Sequence, residues 1–224
     1  MHPSAMDNGK LFFATYLEAC TDALVLDIGS QDVNGSLRQL APPGARYLGL
    51  DFAAGRGVDL VLEDPYQLPF ADDTADAVVS SSCFEHIEMF WLMFNEVLRV
   101  LKPHGLFYLN APSNGEFHRY PVDCWRFYPD AGEALVRWGR RSGSRPALLE
   151  SFTTYQRLDI WNDFIAVFVK DEACADRHPG RMLDRIDRYM NGRRYGVDRI
   201  LCPQAASEDG AKLHRLTGHP KPQQ

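Results

Sequence analysis

Short apolar runs alternate with segments of helical spacing between residues 23 and 111, and this alternation restricts the chain to one class of fold. Residues 23–28 form a mostly apolar run that Gly29 closes, which is typical of a strand buried in a parallel sheet. Residues 89–101 place their apolar side chains on one face of a predicted helix. We therefore predict an α/β fold of Rossmann-like type, with a mostly parallel central sheet and helices on both faces.

The remaining elements follow from the same patterns. We predict a helix near residues 10–20, another from residue 35, strands at 46–50, 58–62, 76–80 and 106–111, a helix at 131–141, and closing strands at 148–155 and 164–169. The composition changes at about residue 171, where arginine becomes frequent. There the spacing of Met182, Ile186 and Met190 predicts a lone helix, and residues 207–224 resemble a flexible tail. The chain thus divides into a main domain over 1–170 and an extension over 171–224, partly helical or flexible.

Charge and cysteine usage narrow the class of protein. A net charge of -6 argues against a general nucleic-acid binder, which is usually basic. The five cysteines are scattered and show no metal-ligand spacing, so we expect reduced thiols, no metal site and a cytoplasmic location. We expect no signal peptide, because the N-terminus lacks a basic region followed by an apolar run and a small-residue cleavage site. We expect no membrane span, because no apolar stretch is long enough to cross a bilayer.

Polar residues at the ends of the first two predicted strands indicate a nucleoside site. Gly29 allows a sharp turn, and Asp51 follows about 20 residues later, where a carboxylate can accept from both ribose hydroxyls. Gln31 stands where a dinucleotide fingerprint has its second glycine, which leaves less room for a pyrophosphate. A smaller ligand, with adenosine at one end and an amino-acid moiety at the other, fits better than a nicotinamide dinucleotide.

Two further segments, at residues 63–70 and 80–87, follow the third and fourth predicted strands, and residues 96–105 close the next helix. In this order the segments from 23 to 111 resemble class I S-adenosylmethionine-dependent methyltransferases, in particular the group with an Asp-x-x-x-Leu-Pro-Phe segment. Residues 1–170 would then be the methyltransferase domain. Two positions depart from the family pattern: Gln31 in the first loop, and His104 in the turn after the helix.

The resemblance implies S-adenosylmethionine as the cofactor and gives roles to individual residues. Asp27 and Gly29 would line its methionine end, Asp51 would bind the ribose with Phe52 against the adenine, and Asp64 would accept from the adenine amino group. The full cofactor-binding set implied is Asp27, Gly29, Ser30, Asp51, Phe52, Asp64, Pro65, Ser81 and Ser82.

Residues 111–129 are dense in aromatic and hydrogen-bonding side chains, which is unusual for a plain connection and typical of a functional loop. The segment resembles bacterial methyltransferases of polysaccharide and glycan biosynthesis. For a hydroxyl acceptor, the candidate general bases are His86, His118 and Asp123. The candidate acceptor-binding residues are Arg119, Tyr120, Trp125 and Arg126, although the arginines could instead pair with Asp123 or Asp130, and Trp125 could belong to the core.

These observations favour an enzyme that methylates a hydroxyl of a sugar, a glycan or another small molecule. An N-methyltransferase acting on a small amine and a non-catalytic binding subunit with the same fold stay open as alternatives. A nicotinamide oxidoreductase is disfavoured by the missing glycines. We expect a monomer or homodimer with a small-molecule or glycan acceptor as its partner, and no nucleic acid.

Overall fold

A nine-stranded sheet forms the centre of the protein, whose computed structural model describes residues 3–157, 160–205 and 207–218. The strands are β1 (Leu24–Ile28), β2 (Arg46–Asp51), β3 (Leu60–Val61), β4 (Ala75–Ser81), β5 (Leu101–Pro112), β6 (Ala147–Thr153), β7 (Asp163–Val169), β8 (Met190–Arg194) and β9 (Val197–Leu201). The helices are α1 (Pro3–Tyr16), α2 (Phe90–Val100), α3 (Ala131–Arg141) and α4 (Glu208–Thr217). The predicted α/β class is confirmed.

The sheet has a parallel half and an antiparallel half. Its strand order is β3-β2-β1-β4-β5-β7-β6-β8-β9. The first five strands in this order are parallel to their neighbours, whereas β7, β6, β8 and β9 pair in antiparallel fashion. The carboxyl ends of the parallel strands meet at one edge, where open α/β sheets bind their ligands.

Hydrophobic cores cover both faces of the sheet, because successive strand residues point to opposite sides. On β1, Leu26 joins the cluster that includes Phe94 of α2 and Leu135 of α3. The neighbouring Val25 joins the other cluster, which includes Phe12 of α1. Helices therefore lie on both faces, as the alternation of elements predicts.

The C-terminal part of the chain differs most from the sequence prediction. The helix expected across Met182, Ile186 and Met190 is wrong: a 3₁₀ turn spans Met182–Asp184, and Met190 begins β8. Buried Glu150 accepts from the backbone N–H groups of Met182 (2.7 Å) and Leu183 (2.9 Å), and β8 pairs with β6. These long-range hydrogen bonds outweigh the weak local preference for a helix.

Other parts of the prediction are also modified. The helix expected after residue 35 is only a 3₁₀ turn at Leu37–Leu40, and part of the expected flexible tail forms α4. Residues 219–224 of that tail lie outside the described residues. The domain boundary near residue 170 stays a prediction, although the sheet itself continues beyond it through β8 and β9. Among the described helices, none combines the length and apolar character needed to cross a bilayer.

Candidate active site

A cavity of about 690 Å³ lies at the carboxyl ends of the parallel strands, within the range of about 300–1,000 Å³ for small-molecule sites. Ten of the predicted site residues line it: Gly29, Asp51, Phe52, Pro65, Ser81, Ser82, His86, His118, Arg119 and Tyr120. The topology therefore brings together residues from both the predicted cofactor set and the predicted acceptor set.

The loops after β1 and β4 approach each other closely at Gly29. Its backbone has φ +79°, and a Cβ placed there would lie 2.3 Å from the Sγ of Cys83. Ser82, beside Cys83, also has a left-handed backbone with φ 52°, and its N–H donates to the carbonyl of Asn110 at 2.9 Å. Backbone in this region is uncommon for residues other than glycine and clusters at functional sites. Both loops are thus fixed where they border the cavity.

Asp51 ends β2 and organises the two loops beside it. Its carboxylate is buried and accepts from the backbone N–H groups of Gln31 and Ala53, each at 3.2 Å. Ser81, at the end of β4, is also buried, and its Oγ has no hydrogen-bond partner among the described residues. A buried hydroxyl without a partner calls for an explanation, and a bound ligand is one.

Asp27, Ser30 and Asp64 lie outside the cavity wall, unlike the other members of the predicted cofactor set. Asp27 is buried behind the wall and accepts from the hydroxyl of Tyr47 at 2.7 Å. This burial raises the pKa of Asp27 to about 7, against the lowering effect of the Tyr47 hydrogen bond. Asp64 is exposed and accepts from the N–H of Tyr66 at 2.8 Å, so it shapes a turn.

Glu85 and His86 follow β4 and line the cavity near His118. Glu85 is 1% exposed, burial raises its pKa to about 8, and its Oε2 has no partner among the described residues. The Nδ1 of His86 lies 2.5 Å from the carbonyl of Val122, so this nitrogen carries the proton and donates. Burial lowers the pKa of His86, which keeps the ring neutral and leaves Nε2 unprotonated, 3.6 Å from Glu85 Oε1.

His118 is oriented by its own loop. Its Nδ1 lies 3.1 Å from the carbonyl of Glu116 and 3.4 Å from Oδ2 of Asp123, and its backbone N–H donates to Asp123 at 2.7 Å. Arg126 donates to both oxygens of Asp123, at 2.6 and 2.8 Å, and this pairing lowers the pKa of Asp123 to about 2. The predicted alternative of an Arg126–Asp123 ion pair is confirmed, and neither side chain lines the cavity.

The other predicted acceptor residues divide between the cavity and the surface of α2. Arg119 and Tyr120 are exposed at the cavity wall, and Arg119 donates to the carbonyl of Pro121 at 3.2 Å. Trp125 lies outside the cavity, where its ring packs edge-on against Phe90 with centroids 5.3 Å apart and its N–H donates to the carbonyl of Ile87.

The sequence prediction omits several residues of the cavity wall. Trp161 and Asp163 border the cavity from the start of β7, and Tyr66 borders it beside Pro65. Because β7 is antiparallel, its first residues lie at the same edge as the carboxyl ends of the parallel strands. The sequence offers no local signal for this reversal, whereas Tyr66 could have been found from its place in the loop after β3.

Comparison with known proteins agrees with the fold. Residues 26–109 match the model of a family described as a methyltransferase domain. An uncharacterized methyltransferase of Mycobacterium leprae (strain Br4923) is 34% identical over 152 residues, which is 61% of this chain and 55% of the relative. A second uncharacterized methyltransferase, from Mycobacterium tuberculosis (strain ATCC 25618 / H37Rv), is 33% identical over 113 residues, covering 46% and 44%. The chain thus spans about half the length of the curated relatives that it matches.

Solved structures with low sequence identity share the fold. The Burkholderia thailandensis 1,6-didemethyltoxoflavin-N1-methyltransferase, solved with S-adenosylhomocysteine, has a TM-score of 0.56 and 14% identity, covering 75% of this chain and 79% of that one. A Haloferax volcanii methyltransferase solved with the Trm112 activator has a TM-score of 0.52 and 20% identity, covering 75% and 90%. Residues 26–109 are thus similar to a methyltransferase domain, and the chain has the fold of these solved methyltransferases.

Proposed function

We propose that this protein transfers the methyl group of S-adenosylmethionine to a hydroxyl of a small molecule, with a sugar or glycan as the first candidate. The observation that carries the proposal is one cavity in which the loops after β1, β2 and β4 face two histidine rings. The protein would be located in the cytoplasm and would be a monomer or a homodimer.

The cavity wall fits the cofactor at three points. The Ser81 hydroxyl lacks a partner among the described residues, Asp51 presents a buried carboxylate, and Gly29 keeps the first loop free of a side chain. Asp51 would hold the ribose hydroxyls, since a carboxylate accepts from both. When bound, S-adenosylmethionine supplies a methyl group that its sulfonium already activates.

The protein then has to align the acceptor and remove a proton. In the proposed step the acceptor oxygen forms a bond to the methyl carbon, the electron pair of the broken C–S bond stays on sulfur, and the hydroxyl proton passes to a histidine nitrogen. His86 supports this role because its Nδ1 donates to Val122 and its Nε2 is left to accept. Arg119 and Tyr120 would contact the remainder of the acceptor.

A small amine is the second candidate acceptor. Glu85 favours it, because a buried carboxyl group with an unpaired oxygen is a natural partner for an N–H donor. An amine and a hydroxyl acceptor would use the same cavity, so product identification has to decide between them.

Calorimetric titration with S-adenosylhomocysteine tests the cofactor part of the proposal. Asp51→Ala should weaken binding by about 1–3 kcal/mol, the cost of unmade hydrogen bonds to a charged group. The matched control is Asp22→Ala, an exposed carboxylate whose contact with Arg46 is 3.7 Å, and it should bind as the wild type does. Absence of binding to the wild type at high micromolar ligand would disprove the enzyme proposal.

Product mass from a screen of nucleotide sugars, glycans and small amines with labelled cofactor would then identify the acceptor. With that acceptor, His86→Ala or His118→Ala should slow turnover by about 10²–10⁴-fold while cofactor binding stays nearly intact. Full activity in both variants would show that neither histidine acts in the reaction.

A further inference from the structure

Three side chains of types that can ligate a metal, separated by up to 33 positions in sequence, meet at one side of the cavity. Glu85, His86 and His118 each place one donor atom within 4.8 Å of the donor atoms of the other two. All three residues line the cavity. The sequence, read for local ligand spacing, predicts no metal here, because only folding brings residue 118 to residues 85 and 86.

We infer that Glu85, His86 and His118 bind a divalent transition-metal ion such as Zn²⁺, with open coordination positions facing the cavity. Two imidazoles and one carboxylate are a recognised ligand set for a catalytic zinc ion, whose remaining position takes water or substrate. In tetrahedral geometry, with ligand atoms at about 2.0–2.2 Å from the metal, two ligand atoms lie about 3.4 Å apart. The observed limit of 4.8 Å therefore requires closure by up to about 1.4 Å.

The surroundings of the histidines match those of metal ligands. A ligating imidazole commonly donates its second ring N–H to a backbone carbonyl or a carboxylate, which fixes the tautomer. His86 does so through Nδ1 and the carbonyl of Val122 at 2.5 Å. His118 has the carbonyl of Glu116 and the carboxylate of Asp123 beside its Nδ1, at 3.1 and 3.4 Å.

Glu85 supplies an independent indication of a ligand. Its side chain is almost completely buried, yet Oε2 has no partner among the described residues. Leaving a buried carboxyl oxygen unpaired is costly, and a bound ion is one explanation for such an atom. A cation between Glu85 and the two rings would provide the missing partner.

A metal ion at this place would take part in the proposed methylation of a hydroxyl, and its catalytic role rests on that proposed function. A metal-bound hydroxyl loses its proton to water more readily than a free one, since coordination lowers the pKa of the bound oxygen. That oxygen would then form the bond to the methyl carbon, with the C–S electron pair remaining on sulfur. An oxygen acceptor would thereby be favoured over an amine, and the histidines would serve as ligands instead of proton acceptors.

Zinc binding to the complete chain, freed of metal by chelation and dialysis, tests the inference without an acceptor. Calorimetry with ZnCl₂ should show one bound ion per chain. His118→Ala and Glu85→Gln should each lower the zinc affinity at least tenfold. His104→Ala, which alters a histidine near the opposite end of β5, should leave it unchanged.

Two further measurements test whether the zinc ion binds at this site and whether the variants are folded. Co²⁺ should give a visible absorption band that His118→Ala removes, and circular dichroism should show that the variants are folded. Exposed thiols also bind zinc, so Cys124→Ser is included, since Cys124 adjoins the site through its N–H bond to the carbonyl of Glu85. Zinc binding that survives both ligand substitutions, or that only Cys124→Ser removes, would overturn the inference, as would no binding at all. A separate titration with S-adenosylhomocysteine tests the proposed function, so that a failure to bind the cofactor can be distinguished from a failure to bind zinc.

Discussion

Asp27, near the end of β1, has a buried carboxyl group that accepts a hydrogen bond from the hydroxyl of Tyr47 at 2.7 Å. The resemblance to class I methyltransferases implies that it lines the methionine end of the cofactor. In the structure its carboxyl group is closed off by Tyr47 and lies outside the cavity wall. Tyr47 stands twenty positions away on β2, and the parallel register, which local patterns do not define, brings the two together.

The environment of Asp27 predicts a pH-dependent stability. With a folded pKa of about 7 and an unfolded value of about 3.9, the folded chain keeps a proton that the unfolded chain loses. The contribution of this proton to the free energy of unfolding is therefore fully present below about pH 4 and is lost as the pH rises through about 7. Asp27→Asn does not titrate, so its free energy of unfolding should fall less between pH 5 and pH 8, by about 2.6 kcal/mol.

Urea denaturation of both proteins at the two pH values measures this difference. Other titrating groups are common to both proteins and cancel. Asp22→Asn, at an exposed site, is the control and should follow the wild type. Parallel pH profiles for the wild type and Asp27→Asn would show that the carboxyl group is not protonated in the folded chain near neutral pH.

At the level of elements, the helix predictions succeed where the apolar residues recur only at the spacing of a helix. Helix α3 matches the predicted residues 131–141, and α2 begins and ends within one residue of the predicted 89–101. The hairpin of β8 and β9 was missed because its stability comes from pairing with β6, about 40 residues earlier. Short apolar runs without such context cannot distinguish a helix from a strand.

Glu150 on β6 should be a strong determinant of how the C-terminal segment folds. It is fully buried and accepts from Tyr16 of α1 at 2.5 Å and from the N–H groups of Met182 and Leu183. Glu150→Ala leaves these buried donors unpaired, so it should lower the free energy of unfolding by about 3 kcal/mol or more.

The next residue provides a matched control for this measurement by urea denaturation. Ser151 is equally buried, but its hydroxyl has no hydrogen-bond partner among the described residues. Ser151→Ala should therefore change the stability by about 0.5 kcal/mol or less, or even raise it. Equal losses in the two variants would mean that packing at β6, and not the Glu150 hydrogen bonds, fixes the segment.

At the scale of the whole molecule, α4 connects the end of the chain to the wall of the cavity. Glu208 accepts from the N–H of Gln156 at 2.6 Å and from the amide of Asn162 at 2.8 Å. Asp209 accepts from Asn114 and from the side chain of Gln156. Asn162, which is held in this way, stands between Trp161 and Asp163, and both of these residues border the cavity.

Removing these acceptors should loosen the wall without disturbing the cofactor side. In the double variant Glu208→Ala/Asp209→Ala we expect hydrogen exchange of the amides at Gln156 and Asn162 to increase about tenfold or more, since local opening becomes easier. Exchange in β1 and affinity for S-adenosylhomocysteine should stay as in the wild type. Arg215→Ala, on the exposed side of α4, serves as the control, and unchanged exchange in the double variant would contradict the connection.

The parallel half of the sheet was predictable from sequence, because each of its strands carries its own apolar run and its own terminal loop. The cavity as a whole was not, because Trp161 and Asp163 reach it through antiparallel β7, and Glu85 joins His118 only after the loop from residue 113 folds back. Local sequence patterns show which residues follow each strand. Only the topology of the sheet determines which strand ends lie together at the cavity.

The junction between the parallel and antiparallel halves has a consequence for how such proteins diversify. The family match at residues 26–109 ends just before the loop that carries His118 and well before β7. Gly29, Asp51 and Ser81, which we propose for the cofactor, lie within the match, whereas Arg119 and Tyr120, which we propose for the acceptor, lie beyond it. We therefore expect that relatives matching only residues 26–109 need not share an acceptor.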